Sequence, residues 1–171
     1  MKTRNWAALA GMAAALLLTA GCGQDNPEAK PPGEPGHKAA HGGCLNAIGS
    51  CATGHAEVQV EGEVLRLWFV GGENDTDKAV RVPDKEITLT VKVEGEKEPR
   101  TVTLKCKPNQ LLEEKEGDCS YFEGQADWLK EVQGFEATGT VNFKGKKENL
   151  KIDFPHGYDP DHQPAGGSQG H

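Results

Sequence analysis

ITLTVKV, residues 87–93, alternates branched aliphatic side chains with threonine or lysine along its whole length. Successive side chains of a β-strand point to opposite faces, so alternation with period two indicates a strand with one buried face and one solvent-facing face. AEVQV at 56–60 and FEATGTVNF at 135–143 follow a similar pattern. Three such segments favour a sheet with one apolar side.

Further strand-like segments surround these three. The segment 64–70 is apolar nearly throughout, which predicts a central strand, and the segments 102–106 and 150–154 continue the alternation. The segment 79–82 predicts a short edge strand. Turn-forming residues separate the strands about every ten residues. The sequence therefore predicts an all-β fold, an immunoglobulin-like antiparallel β-sandwich of about seven strands, with one short helical turn at 127–132.

Composition excludes several classes of protein. The 171 residues suffice for one ordinary domain, and 26 acidic against 19 basic side chains leave a net charge of −7. A nucleic-acid binder needs a basic surface, so no nucleic-acid partner is predicted. Ser50, in IGSCA at 48–52, lacks the final glycine of a nucleophile elbow. No catalytic constellation stands out elsewhere, so the sequence predicts that the protein is not an enzyme.

The N-terminus has the features of a bacterial lipoprotein signal. Lys2 and Arg4 precede an apolar stretch at 6–20, and small residues lead directly to Cys22. This ending resembles a lipobox, where the peptide is cut before the cysteine and the thiol takes a diacylglyceryl group. The resemblance implies a lipid anchor at Cys22 on the extracytoplasmic side of the cell envelope, and Gly23 implies the outer membrane, facing the periplasm. The alternative is ordinary cleavage that leaves Cys22 a free thiol.

These features divide the chain into four segments. Residues 1–21 form the signal peptide, and 22–40 form the lipidated cysteine and a tether rich in proline and glycine. The tether is predicted to be disordered because it has no aliphatic residue larger than alanine, and His37 is predicted to be solvated. Residues 41–155 form the β-sandwich domain, and 156–171 form a disordered tail that contains histidine.

The chain has five cysteines, an odd number. Lipid on Cys22 leaves an even set, which is expected to form disulfides in an oxidising compartment. Cys106 is in phase with the inward side chains of its strand and Cys119 follows one loop later, so we expect a Cys106–Cys119 disulfide. Cys44 and Cys51 would then pair at the start of the domain. Four cysteines allow three connectivities, and the sequence leaves them open.

Histidines and carboxylates cluster at both ends of the domain. His55 and Glu57 are two residues apart on a predicted strand and share the face away from the core, and His41 precedes two glycines that would let a ligand approach. A second cluster follows the last strand. Imidazole with carboxylate suits copper or zinc, and the alternative is that these are ordinary surface histidines. The candidate ligands are His41, His55, Glu57, His156, Asp159, Asp161 and His162.

Four motifs carry a family resemblance: HGG at 41–43, IG at 48–49, GHAEV at 54–58 and LRLWF at 65–69. Together they look like a family of small bacterial envelope lipoproteins. They are also similar to a module that precedes some periplasmic adaptor subunits of heavy-metal efflux pumps. The resemblance covers residues 41–93 and implies an immunoglobulin-like domain with copper or zinc near the histidines of the first and third motifs. The chain lacks the helical hairpin of an adaptor.

Two functions remain open. We expect a membrane-tethered interaction or scaffold domain that binds an envelope protein or a wall component. The alternative is a periplasmic lipoprotein that binds a divalent metal, copper or zinc, and takes part in metal handling. Metal-dependent stability distinguishes them, because an ion that binds only the folded chain stabilises it.

Overall fold

The computed structural model describes residues 37–161, so the predicted signal peptide, Cys22 and His162 lie outside the described residues. Within that range the chain forms eight strands: β1 (Cys44–Ile48), β2 (Ser50–Glu61), β3 (Val64–Val70), β4 (Glu86–Val93), β5 (Arg100–Cys106), β6 (Tyr121–Gln125), β7 (Phe135–Phe143) and β8 (Lys146–Phe154). Three short 3-10 helices lie between these strands: Glu73–Asp75, Gln110–Leu112 and Asp127–Glu131. No helix in this range is long and apolar enough to cross a membrane.

The strands form one antiparallel sheet in the order β1-β2-β3-β6-β5-β4-β7-β8. Strands β5 and β6 join its two halves through only two residue pairs. The sheet curls until its two end strands meet, where the Asp153 backbone N–H donates to Asn46 Oδ1 at 2.8 Å. The predicted all-β antiparallel fold is therefore confirmed. Its eight strands belong to one nearly closed sheet, and the two halves, linked at one corner, are consistent with the predicted sandwich.

The core lies on the inner side of this sheet, as the alternation predicts. In β4 every second residue is buried, from Ile87 to Val93. In β7 most of the predicted inward residues are also buried. Three phenylalanines fill the centre, with the Phe69 ring 5.6 Å from that of Phe122 and 6.0 Å from that of Phe143. Burial of these apolar side chains supplies the main drive for the sheet to curl.

Two smaller predictions have different outcomes. The helical turn predicted at 127–132 is the 3-10 helix Asp127–Glu131, which buries Leu129. The edge strand predicted at 79–82 is not a strand. This segment makes only isolated bridges, Val70 with Ala79 and Val82 with Cys119, before Pro83 interrupts it. A proline has no N–H to continue a ladder.

Both predicted terminal segments contribute described residues that pack on the domain. At the N-terminal end, the Thr76 hydroxyl donates to Lys38 O at 2.8 Å. At the C-terminal end, the Ala47 backbone N–H donates to Tyr158 O at 2.7 Å, and Asn46 and Tyr158 form a parallel bridge. The packed domain thus extends beyond the predicted boundaries at 41 and 155.

The structure joins Cys106 at the end of β5 to Cys119 just before β6, with their Cα atoms 5.8 Å apart. This is the pairing that the sequence favoured. The second expected pair is not formed, because Cys44 and Cys51 are free thiols. Cys44 faces Val58 across the β1–β2 hairpin, seven residues along β2 from Cys51. Ile48, however, pairs with Ser50, so Cys51 lies near the end of β1 opposite to Cys44. Four strand residues at about 3.3 Å each separate the two ends by about 13 Å, beyond disulfide reach.

A thiol count tests this correction. In denaturant without reductant, two of the four domain cysteines are expected to react with an alkylating reagent, Cys44 and Cys51, and reduction should expose the other two. Peptide mass spectrometry after digestion identifies the labelled positions. A crosslinked peptide that joins Cys44 to Cys51, or four reactive thiols before reduction, would contradict the structure.

Candidate metal centre

The HGG segment wraps around a buried carboxylate on β2. Glu57 has no exposed side-chain surface. Its Oε1 accepts the backbone N–H groups of His41 at 2.7 Å and Gly43 at 2.9 Å, and its Oε2 accepts that of Ala40 at 3.1 Å. Only glycine fits at 43, because a Cβ there would lie 2.4 Å from Val58 O. Glu57 therefore anchors the segment that precedes β1.

His41 belongs to the same anchor. Its Nδ1 lies 2.9 Å from Glu57 Oε2, and its ring stacks on Trp68 with centroids 4.5 Å apart and planes 4° from parallel. The indole in turn stacks on Tyr121 at 5.0 Å. The predicted ligand set of His41, His55 and Glu57 is thus not brought together, since Glu57 uses both its oxygens on the HGG segment.

His55 lies on the same face of β2 and is only 1% exposed. Its Nδ1 is 3.1 Å from Gly71 O. Because a carbonyl can only accept, Nδ1 carries the proton and Nε2 carries the lone pair. Nε2 is the one buried side-chain nitrogen or oxygen within residues 37–161 that has no hydrogen-bond partner. Such an atom destabilises a fold by about 1–3 kcal/mol, so it calls for an explanation.

His37 repeats this arrangement next to His55. Its Nδ1 is 2.7 Å from Glu73 O, so it too donates to a backbone carbonyl and keeps the Nε2 lone pair. The two imidazole centroids are 4.8 Å apart. Histidines that ligate metals typically donate their other ring N–H in this way, which sets the tautomer and the ring orientation. The prediction that His37 is a solvated tether residue does not describe its contacts.

Both carbonyls come from the loop that follows β3. This loop packs closely on β2, because a Cβ on Gly72 would lie 2.2 Å from Ala52 O, and it folds tightly on itself, because a Cβ on Gly71 would lie 2.7 Å from Asp75 O. Only glycine allows this approach. The GG pair therefore places the Gly71 and Glu73 carbonyls under the two imidazoles.

Cys51 provides sulfur at the same place. It is 6% exposed, near the start of β2. Burial, a hydrogen bond to Asp159 and the charges of Asp159 and Asp161 raise the pKa of its thiol from 9.0 to about 12. Burial lowers the pKa of His55, and the charge of His37 lowers it further, while the Gly71 hydrogen bond opposes this shift. The buried imidazole is therefore neutral near pH 7.

The donor atoms of His37, Cys51 and His55 all lie within 4.8 Å of one another, and the same holds for Cys51, Asp159 and Asp161. In a tetrahedral zinc site, bonds of about 2.0–2.3 Å place donor atoms about 3.3–3.8 Å apart, so shifts of about 1 Å would close the group on an ion. Thiolate with imidazole suits zinc and copper.

The predicted ligands thus divide into separate groups. His55, Asp159 and Asp161 come together around Cys51, whereas His156 is exposed beside Asp153 at 3.4 Å. His162 lies outside the described residues. The sequence analysis did not include His37 and Cys51 among the candidate ligands. Sequence reasoning had assigned His37 to the tether and Cys51 to a disulfide, and the irregular register of β2 before His55 leaves no simple alternation that would have joined Cys51 to His55.

Known proteins offer no guide to this site. No protein-family model, curated protein or solved structure matches the chain. The chemistry of the cluster must therefore be inferred from its own residues, and the donor set with its two oriented imidazoles is the feature that a function has to explain.

Proposed function

We propose that this chain is a metal-binding protein of the bacterial cell envelope that holds a copper or zinc ion with His37, Cys51 and His55. The single observation that carries the proposal is the unpartnered Nε2 of His55, which is buried while Nδ1 donates to Gly71 O. An ion bound between the two imidazoles and the thiolate would be the missing partner.

The arrangement needs little reorganisation to bind. His37 is held by the Glu73 carbonyl, and its segment is held by Glu57 and by the hydroxyl of Thr76. Ligands that are already in place spare the ion the entropy of ordering them, which favours affinity. The resemblance of the HGG and GHAEV motifs to modules of heavy-metal efflux adaptors supports the same function.

The location of the protein is part of the proposal. Lipid at Cys22 would tether the domain to a membrane on the extracytoplasmic side, and an oxidising compartment suits the Cys106–Cys119 disulfide. The interaction or scaffold role also remains a prediction, but no specific observation favours a partner protein or wall component. Metal binding has such an observation, so we place it first.

Metal content tests the proposal. The untagged full chain in mild detergent, dialysed against zinc and then against metal-free buffer, is expected to retain one ion per chain. His55→Ala should retain less than about a tenth of that, since it removes a ligand. His156→Ala is the matched control, because His156 is exposed and outside the cluster, and it should retain as much zinc as the wild type. Equal zinc retention in the two variants would refute the site.

A further inference from the structure

The two donor groups share one atom, the Sγ of Cys51. In one group the sulfur lies near the imidazoles of His37 and His55, and in the other it lies near the carboxylates of Asp159 and Asp161. The carboxylates come from the segment that follows β8, so the chain after the last strand returns to the place where the first residues of the domain lie. This places a carboxylate beside the sulfur of the proposed site.

The two carboxylates have different roles. Asp161 Oδ2 accepts the backbone N–H of Cys51 at 3.1 Å, and the Asp161 N–H donates to Asp159 Oδ1 at 2.8 Å. Asp161 is exposed, whereas Asp159 is half-buried and has a carboxylate oxygen within 4.8 Å of the Cys51 sulfur. Asp161 therefore holds the segment on β2, and its amide orients the carboxylate of Asp159 toward the sulfur.

The backbone of this segment is also fixed. Tyr158 O accepts the Ala47 N–H at 2.7 Å. Gly157 has a φ of +86°, and a Cβ there would lie 2.5 Å from Leu45 O, so the close approach of the segment to β1 requires glycine. Hydrogen bonds at Tyr158 and at Asp161 thus hold the segment that contains Asp159.

We infer that Asp159 is the fourth ligand and that it makes the site selective for zinc over copper(I). The inference rests on the proposed function. A thiolate and a carboxylate together carry two negative charges, which balance Zn²⁺ but leave an excess negative charge around Cu⁺. Carboxylate oxygen is an accepted zinc ligand, whereas the soft copper(I) ion is served by sulfur and imidazole. On binding, the Cys51 thiol proton leaves to solvent, and the Cys51 thiolate and the Asp159 carboxylate both bond to the ion.

Competition with chromogenic chelators measures both affinities on the untagged full chain, with copper(I) handled under anaerobic, reducing conditions. Asp159→Asn is expected to weaken zinc binding at least about tenfold and to change copper(I) binding by less than about threefold. Asp153→Asn is the control, because the Asp153 carboxylate lies beside the exposed His156 and belongs to neither donor group, so this variant should leave both affinities within about threefold of wild type. A ratio of two affinities on one protein does not respond to a merely structural defect, which would lower both.

Three outcomes overturn the inference while the proposed function stands. They are wild-type zinc affinity in Asp159→Asn, an equal loss for the two ions in that variant, and a larger loss of zinc affinity in Asp153→Asn than in Asp159→Asn. A wild-type chain that binds neither ion would instead refute the proposed function itself.

Discussion

Zinc at one hundred times its dissociation constant is expected to raise the melting temperature of the untagged chain by about 10 °C. An ion that binds only the folded chain stabilises it by RT ln(1 + [L]/Kd), which is about 2.7 kcal/mol at that concentration. In a domain of this size, each kcal/mol shifts the midpoint by about 3–5 °C. A thermal melt followed by circular dichroism measures the change, and excess EDTA should reverse it.

The two free cysteines make a matched pair for this experiment. Cys51→Ala removes the sulfur from the donor group, whereas Cys44→Ala removes a thiol near the opposite end of β1, outside both donor groups. Zinc should raise the midpoint of Cys44→Ala as much as that of the wild type and move Cys51→Ala by less than about 2 °C. Each variant is compared with itself with and without zinc, so any loss of intrinsic stability cancels. Equal zinc shifts in both variants would contradict the site.

Glu57→Ala is expected to lower the free energy of unfolding by about 3–5 kcal/mol, the largest effect of any single substitution that we predict. The carboxylate accepts backbone N–H groups from Ala40, His41 and Gly43, and it pairs with the His41 ring. Removal leaves these donors without a partner next to a cavity on β2. Urea titration of the metal-free chain measures the loss.

Glu61→Ala is the control on the same strand. Glu61 is exposed and pairs with Arg66 at the surface, so its removal should change the free energy of unfolding by less than about 1 kcal/mol. Glu57→Ala should also weaken zinc binding, because the segment that it frees carries His37. Stability of Glu57→Ala within experimental error of Glu61→Ala would mean that the HGG segment is not anchored as the structure shows.

The strands could be predicted because their signal is local. The alternation in residues 87–93 depends only on neighbours two positions apart, and β4 buries those same side chains. The face of β2 away from the apolar core was found for the same reason, since His55 and Glu57 differ in phase from the core residues Ala56 and Val58. That His55 and Glu57 are buried as well could not be predicted from the alternation. The pairing of Cys106 with Cys119 depended on strand phase and one short loop.

The cysteine count gave a wrong prediction for Cys44 and Cys51, because it ignores the distance between them. An even number of thiols predicted that Cys44 and Cys51 pair, but the count carries no information on where the hairpin turns. The register of β1 on β2 sets their separation, and register is a property of the paired strands. The same prediction excluded Cys51 from the candidate ligands, because a cysteine in a disulfide has no free thiolate.

By itself, the sequence determined the periodic elements of this protein, its acidic charge and the face of β2 that carries His55. Only the tertiary structure decided which residues meet there. Cys51 and Asp161 are 110 positions apart, and His37 reaches its orienting carbonyl on Glu73 across 36 positions. Strand periodicity depends on residues two positions apart, whereas a metal site depends on where the sheet and its loops bring distant residues together. In this protein, the loop that contains Gly71 and Gly72 and the segment that contains Asp159 and Asp161 bring these residues together.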